Sequence, residues 1–138
     1  MRFMVMVMGP EEYGAPSSEE IAEMGAFNEQ LMNAGIMRGG EGLMPTSKGA
    51  RVSFSGDRRT VQDGPYSESK EIIGGFWILE VKDKAEVLEW VKKIPFRDGT
   101  VEIRQIAETE DFPVDEVSRP ALENEKRWRE ELGNKPTS

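Results

Sequence analysis

Hydrophobic positions along the chain fall into two patterns, one apolar at nearly every position and one apolar along a helical stripe. In Arg2–Met8, Phe3, Val5 and Val7 alternate with Met4, Met6 and Met8. Successive side chains of a strand point to opposite faces, so this segment reads as a strand apolar on both sides, ended by Gly9-Pro10. Ile72–Val81 repeats the pattern more strongly. One face would carry Ile72, Gly74, Phe76 and Ile78; the other would carry Ile73, Gly75, Trp77, Leu79 and Val81. β-branched and aromatic residues suit a pleated, buried segment. Both strands need cover on both faces.

The stripe pattern predicts two helices in the same region. Ser17 and Glu20 have capping-box spacing; Ile21, Met24, Phe27, Leu31 and Ala34 then recur at three- and four-residue steps, and Gly35 closes the helix. Asp83 is placed to cap a second helix whose apolar side is Val87, Leu88, Trp90, Val91 and Ile94, with Pro95 as its stop. Between them, Ile36–Met44 reads as a strand interrupted by Gly39, Gly40 and Gly42. Arg51–Ser55 and Arg59–Gln62 flank Gly56-Asp57-Arg58 as a short hairpin. Thr100–Ala107 reads as a last strand with Val101 and Ile103 on one face and Glu102 and Arg104 on the other.

This order predicts an α+β, ferredoxin-like fold of the dimeric α/β-barrel type. It is a sandwich with an antiparallel sheet and two helices on one face, elaborated by a β-hairpin insertion and a C-terminal helix. Two helices cover one face of a sheet. The second apolar face therefore calls for another sheet, most simply that of a second copy, in a homodimer. Residues 1–107 form the main domain. Residues 108–138 are an acidic linker and a helical tail over Pro120–Leu132, which reads either as a strap on its own subunit or a partner, or as a loose tail.

Composition narrows the chemistry. The 138 residues carry 26 acidic against 18 basic side chains, a net charge of −8. Phosphate backbones are bound by clusters of Lys and Arg, so nucleic acid is not an expected partner. No apolar run reaches the roughly 20 residues of a membrane span. Histidine and cysteine are absent, which removes thiol nucleophiles, serine–histidine triads and the commonest metal ligand. No metal or cofactor is expected, and the location expected is cytoplasmic.

The candidate chemistry gathers at the entrance to the second apolar strand. Asp63-Gly64-Pro65 is turn chemistry, and Asp63, Lys70 and Glu71 either line a pocket rim or belong to a solvated turn. Glycines in Ile36–Met44 allow close backbone approach or room for a ligand, which makes Arg38 and Glu41 candidate pocket residues. Arg104 is placed either to clamp an anion or to pair with Glu102 or Glu41.

Asp63-Gly-Pro-Tyr-Ser-Glu-Ser-Lys-Glu71, followed by Gly74-Gly75-Phe76, resembles the DGPF signature of the YCII-related family, with Tyr66 where Phe is usual. Gly39-Gly-Glu-Gly-Leu43 and Val101-Glu-Ile-Arg104 also resemble segments of that family. The resemblance spans about residues 1–106. It implies a ferredoxin-like domain that usually dimerises, and an association with alternative sigma factors seen among family members. Some members are thought to use a His–Asp pair, which this histidine-free chain cannot supply.

Two functions follow as expectations. The first is a small-molecule-binding or regulatory module with a pocket near the dimer interface, in which Arg38, Glu41, Tyr66, Glu71 and Arg104 bind a small anionic ligand. The alternative is an isomerase- or lyase-type enzyme acting on a small anionic or cyclic compound. There Asp63 would be the base, Lys70 or Tyr66 the proton donor and Arg104 the anion clamp.

Overall fold

A computed structural model describes residues 1–10, 15–66 and 71–133. The elements run β1 (Arg2–Gly9), α1 (Ser18–Asn33), β2 (Met37–Gly42), β3 (Ala50–Ser55), β4 (Arg58–Asp63), β5 (Ile72–Glu80), α2 (Lys84–Val91), β6 (Thr100–Gln105) and α3 (Arg119–Gly133). The chain divides into two compact units, Met1–Gln105 and a second from Ile106 onward.

In the first unit β1, β2, β5 and β6 form an antiparallel sheet in the order β2-β5-β1-β6, while β3 and β4 pair only with each other. The two strands apolar on both faces, β1 and β5, are therefore the two central strands. A central position leaves both faces in need of cover and neither edge exposed, which is why their sequences lack the polar alternation of an open sheet.

One face of this sheet is closed by α1 and α2. Phe3, Val5, Trp77, Leu79 and Val81 pack with Phe27 and Leu31 of α1, Val87 of α2, and Ile36 and Ile94 in one cluster. Leu31, Val5 and Val87 are fully enclosed. Trp77 is fixed in two ways: its ring meets Phe27 edge-on at 5.9 Å, and its indole Nε1–H donates to Asn28 Oδ1 at 2.8 Å. A buried indole needs such an acceptor, and α1 supplies it beside the aromatic contact.

The helix signals in the sequence correspond to real caps. Ser17 Oγ accepts from the Glu20 amide at 3.1 Å, and Glu20 Oε1 accepts from the Ser17 amide at 3.4 Å. Gly35 follows the α1 cap with φ +72°, the left-handed conformation for which glycine carries no Cβ penalty. Asp83 Oδ1 accepts from the Glu86 amide at 2.9 Å and starts α2. Ile21, expected on the buried stripe, is exposed, because the stripe reaches the sheet only from Met24 onward.

The second unit opens with a 3-10 turn at Thr109–Asp111, where the Glu108 amide donates to Asp111 Oδ2 at 2.8 Å. Asp115 Oδ1 then accepts from the amides of Val117 and Ser118 at 2.9 and 2.8 Å, just before α3. These bonds, with the Ser118 hydroxyl, hold the Asp115 carboxyl below its ordinary value. Within the unit, Arg129 joins Glu108 at 3.0 Å and also pairs with Glu125. Trp128 and Leu132 of α3 are exposed.

Candidate functional site

The Asp63–Tyr66 segment is held by backbone contacts before any side chain is considered. Pro45–Gly49 makes a tight 3-10 turn, with the Lys48 amide donating to Pro45 O and the Gly49 amide to Thr46 O, each at 2.9 Å. Gly64 donates its amide to Gly49 O at 3.0 Å, and the Tyr66 amide donates to Thr46 Oγ1 at 3.2 Å. Thr46 is thereby buried although its neighbours are exposed. A Cβ on Gly64 would stand 1.6 Å from the Thr46 carbonyl oxygen, so no other residue fits there without moving the backbone. The Gly64–Pro65 peptide is cis. The Arg51 guanidinium lies over the Tyr66 ring, 4.0 Å from its centroid, a contact that ties β3 to the loop.

The Gly and Tyr of the Asp63-Gly-Pro-Tyr66 motif thus clamp the root of the β3–β4 hairpin. Thr46 and Gly49 are the partners that sequence reading missed. Their signal is weak, since both sit in a segment that reads only as loop.

The other candidates are dispersed. Asp63 ends β4 opposite Ala50 and is exposed. Glu71 is exposed immediately before β5, and Lys70 lies outside the described residues. Arg38 is held in its own chain: Nε and Nη2 contact Glu80 Oε2 at 2.8 and 2.7 Å, and Nη1 donates to Gly35 O at 2.9 Å. It sits where the β2–β5 register shifts, between Met37 and Gly39. Glu80, the one charged residue of β5, was the sequence signal for this pair.

The remaining two share the sheet face away from α1 and α2. Strand register places Glu41, Phe76, Met6 and Glu102 in one cross-strand row, and Gly39, Ile78, Met4 and Arg104 in the next. Met4, Phe76 and Ile78 are half-buried and Met6 is buried, yet none belongs to the core cluster. Glu41, Glu102 and Arg104 are exposed at the two edges. Among the described residues Arg104 pairs with neither Glu102 nor Glu41. Glu41 on β2 and Arg104 on β6 are three strand spacings apart, about 14 Å. The face has an apolar centre and charged ends, with Glu41 at one edge and Glu102 and Arg104 at the other.

Elsewhere, a shallow groove of about 180 Å³ lies between the end of α2 and the start of β6, lined by Val91, Ile94, Phe96, Arg97, Gly99 and Val101 among others. None of the candidate residues lines it. No group of three or more acidic residues among those described is arranged to hold a metal. None of the described helices is long and apolar enough to cross a membrane.

Comparison with known proteins adds a family. The chain is 24% identical over 115 residues to an uncharacterized protein of Rhizobium meliloti (strain 1021), covering 78% of this chain and 93% of that one. Among solved structures it is similar to 5-chloro-2-hydroxyhydroquinone dehydrochlorinase (TftG) from Burkholderia phenoliruptrix AC1100, in complex with 2,5-dihydroxybenzoquinone. That likeness has 17% identity and a TM-score of 0.42, covering 78% of this chain and 95% of the other. The YCII-related domain model matches residues 1–110, and the chain therefore belongs to the YCII-related family.

Proposed function

We propose that the protein is a small-molecule-binding module whose pocket lies between the second face of the sheet and a second copy of the chain. The observation that carries this reading is the row Glu41–Phe76–Met6–Glu102 with Arg104 beside it. Pockets for small ligands are lined mainly by apolar side chains, with a few polar groups that fix orientation. This face has that composition and lies outside the helix-packed core. The matching ligand is a small, partly apolar compound, aromatic or cyclic, with an anionic group for Arg104.

Arg38 has a lesser part in this reading, because Glu80 and the Gly35 carbonyl already engage its guanidinium. Tyr66 is likewise engaged with Arg51. The acid–base enzyme reading would rest on Asp63, which stands exposed at the end of β4.

The experiment is a thermal-shift screen of small aromatic and cyclic carboxylates on the wild type, repeated on Phe76→Ala, Arg104→Ala and Asp63→Asn. Ligands that stabilise the wild type should lose their effect on the first two variants and keep it on Asp63→Asn. Ligands indifferent to Phe76 and Arg104 would remove this face from the site. Loss on Asp63→Asn alone would return the enzyme reading to first place.

A further inference from the structure

We propose that the β3–β4 hairpin of one subunit lies across the second sheet face of a second copy of this chain, where Phe54 forms the outer wall of the pocket. The inference rests on the dimer reading above and names the segment by which each copy completes the other's site.

The hairpin is amphipathic, yet its own chain leaves the apolar side open. Directly opposed residues of paired strands share a face. Register therefore puts Ala50 with Asp63, Val52 with Val61 and Phe54 with Arg59 on one side. Arg51 with Gln62, Ser53 with Thr60 and Ser55 with Arg58 make the other. Every residue of both strands is exposed, and Val52, Phe54 and Val61 keep 49, 70 and 64% of their surface open. A two-stranded hairpin alone is marginally stable in water, and packing of its apolar side against another element is what stabilises one. The root is fixed all the same: the Gly64 amide donates to Gly49 O, and the Arg51 guanidinium covers the Tyr66 ring. The hairpin is inserted between the edge strand β2 and its neighbour β5, so it leaves the sheet at the margin. The result is an anchored arm with one apolar side.

Charge and reach select the occupant. Ala50–Asp63 carries three arginines against two aspartates, a net charge of +1 in a chain of net charge −8. Arg58 and Arg59 make no ion pair among the described residues. Arg59 lies over Phe54, 4.6 Å from the ring centroid, and so belongs to the apolar side. The second sheet face is the complement. Met4, Phe76 and Ile78 are half-buried at its centre, and Glu41 and Glu102, exposed and without an ion pair among the described residues, stand at its edges. A strand of six residues is about 20 Å long and a face of four strands about 14 Å wide, so the arm spans the face. Phe54 then meets the apolar centre and Arg59 a rim glutamate, which leaves Arg104 to the ligand's anion. Packing the hairpin against its own image would instead bring two net-positive surfaces together, which like-charge repulsion opposes.

The contact is read by photo-crosslinking. Phe54→p-benzoylphenylalanine places a ketone that, on irradiation, inserts into C–H bonds it touches; the products are separated on a denaturing gel and the joined peptides identified by mass spectrometry. Alongside, sedimentation equilibrium is measured on the wild type, Phe54→Ser, Arg59→Glu and, from the polar side of the hairpin, Thr60→Ala. The expected result is a covalent dimer in which position 54 is joined to β1 or β5 of the other copy. The dissociation constant should rise about tenfold in Phe54→Ser and about fivefold in Arg59→Glu, and stay unchanged in Thr60→Ala.

Links within one chain, between two hairpins, or to α1 or α2 overturn the arm and leave the dimer standing. A dimeric wild type that gives no covalent dimer, or that is indifferent to Phe54→Ser, does the same. A wild type that is monomeric at about 10 μM, the affinity range of weak association, overturns the dimer reading and the arm together. All three substituted side chains are exposed, and circular dichroism on each variant checks that the fold is kept.

Discussion

The two faces of the four-stranded sheet use alternate residues of the same strands, and they are built on different terms. On the helix side, Val5, Leu79 and Phe3 have at most 3% of their surface exposed and join α1 and α2 in one cluster. On the other side, Met4, Phe76 and Ile78 are half-buried and give way to Glu41, Glu102 and Arg104 at the edges. Branched and aromatic side chains with few rotamers fill the first face, and methionines occupy β1 on the second. Met adapts to irregular or changing partners, whereas a close-packed core rewards side chains of defined shape. The difference teaches that hydrophobicity alone does not identify a core. The first face is finished within one chain, and the second is left half-buried with charges at its edges.

The contrast is broken most directly by deleting volume on each side. Leu79→Ala should cost about 3 kcal/mol in urea unfolding, since α1 and α2 cannot collapse fully into the void. Trp77→Phe comes next at about 1–2 kcal/mol, from lost volume and an Asn28 carbonyl left without its donor. Met4→Ala should cost about 1 kcal/mol at low protein concentration. If a second copy covers that face, the cost should grow as concentration rises, because association stabilises the folded state by mass action. A cost of Met4→Ala equal to that of Leu79→Ala at every concentration would erase the distinction between the faces.

The smallest effect lies outside both faces. Asp115 has a lowered carboxyl value in the folded state, so its contribution is complete above its ordinary value of 3.8 and is lost as pH falls through the lowered one. Asp115→Asn should reduce that acid-side dependence slightly, read as α3 helicity by circular dichroism between about pH 2 and 5, and leave Leu79 and Met4 costs unchanged.

Much of this architecture was legible in the residues. The unbroken apolar patterns of β1 and β5 marked them as central, and Ser17, Glu20, Gly35 and Asp83 marked the helix ends by local hydrogen bonding. The site was less legible. Asp63, Arg38, Tyr66 and Arg104 each look able to bind or react, because a polar side chain in a sequence carries no record of its partners. The structure gives Arg38 to Glu80 and Tyr66 to Arg51, and Gly64 turns out to serve the Thr46 carbonyl.

What the sequence by itself determined is the set of elements and the existence of two apolar faces, since periodicity and capping act within a few residues. Only the tertiary structure decided which face the helices close, which charges are matched within the chain, and that Glu41 and Arg104 stand at opposite edges of one surface. Those facts depend on strand order and register, which bring together residues far apart in the chain and so leave no local trace.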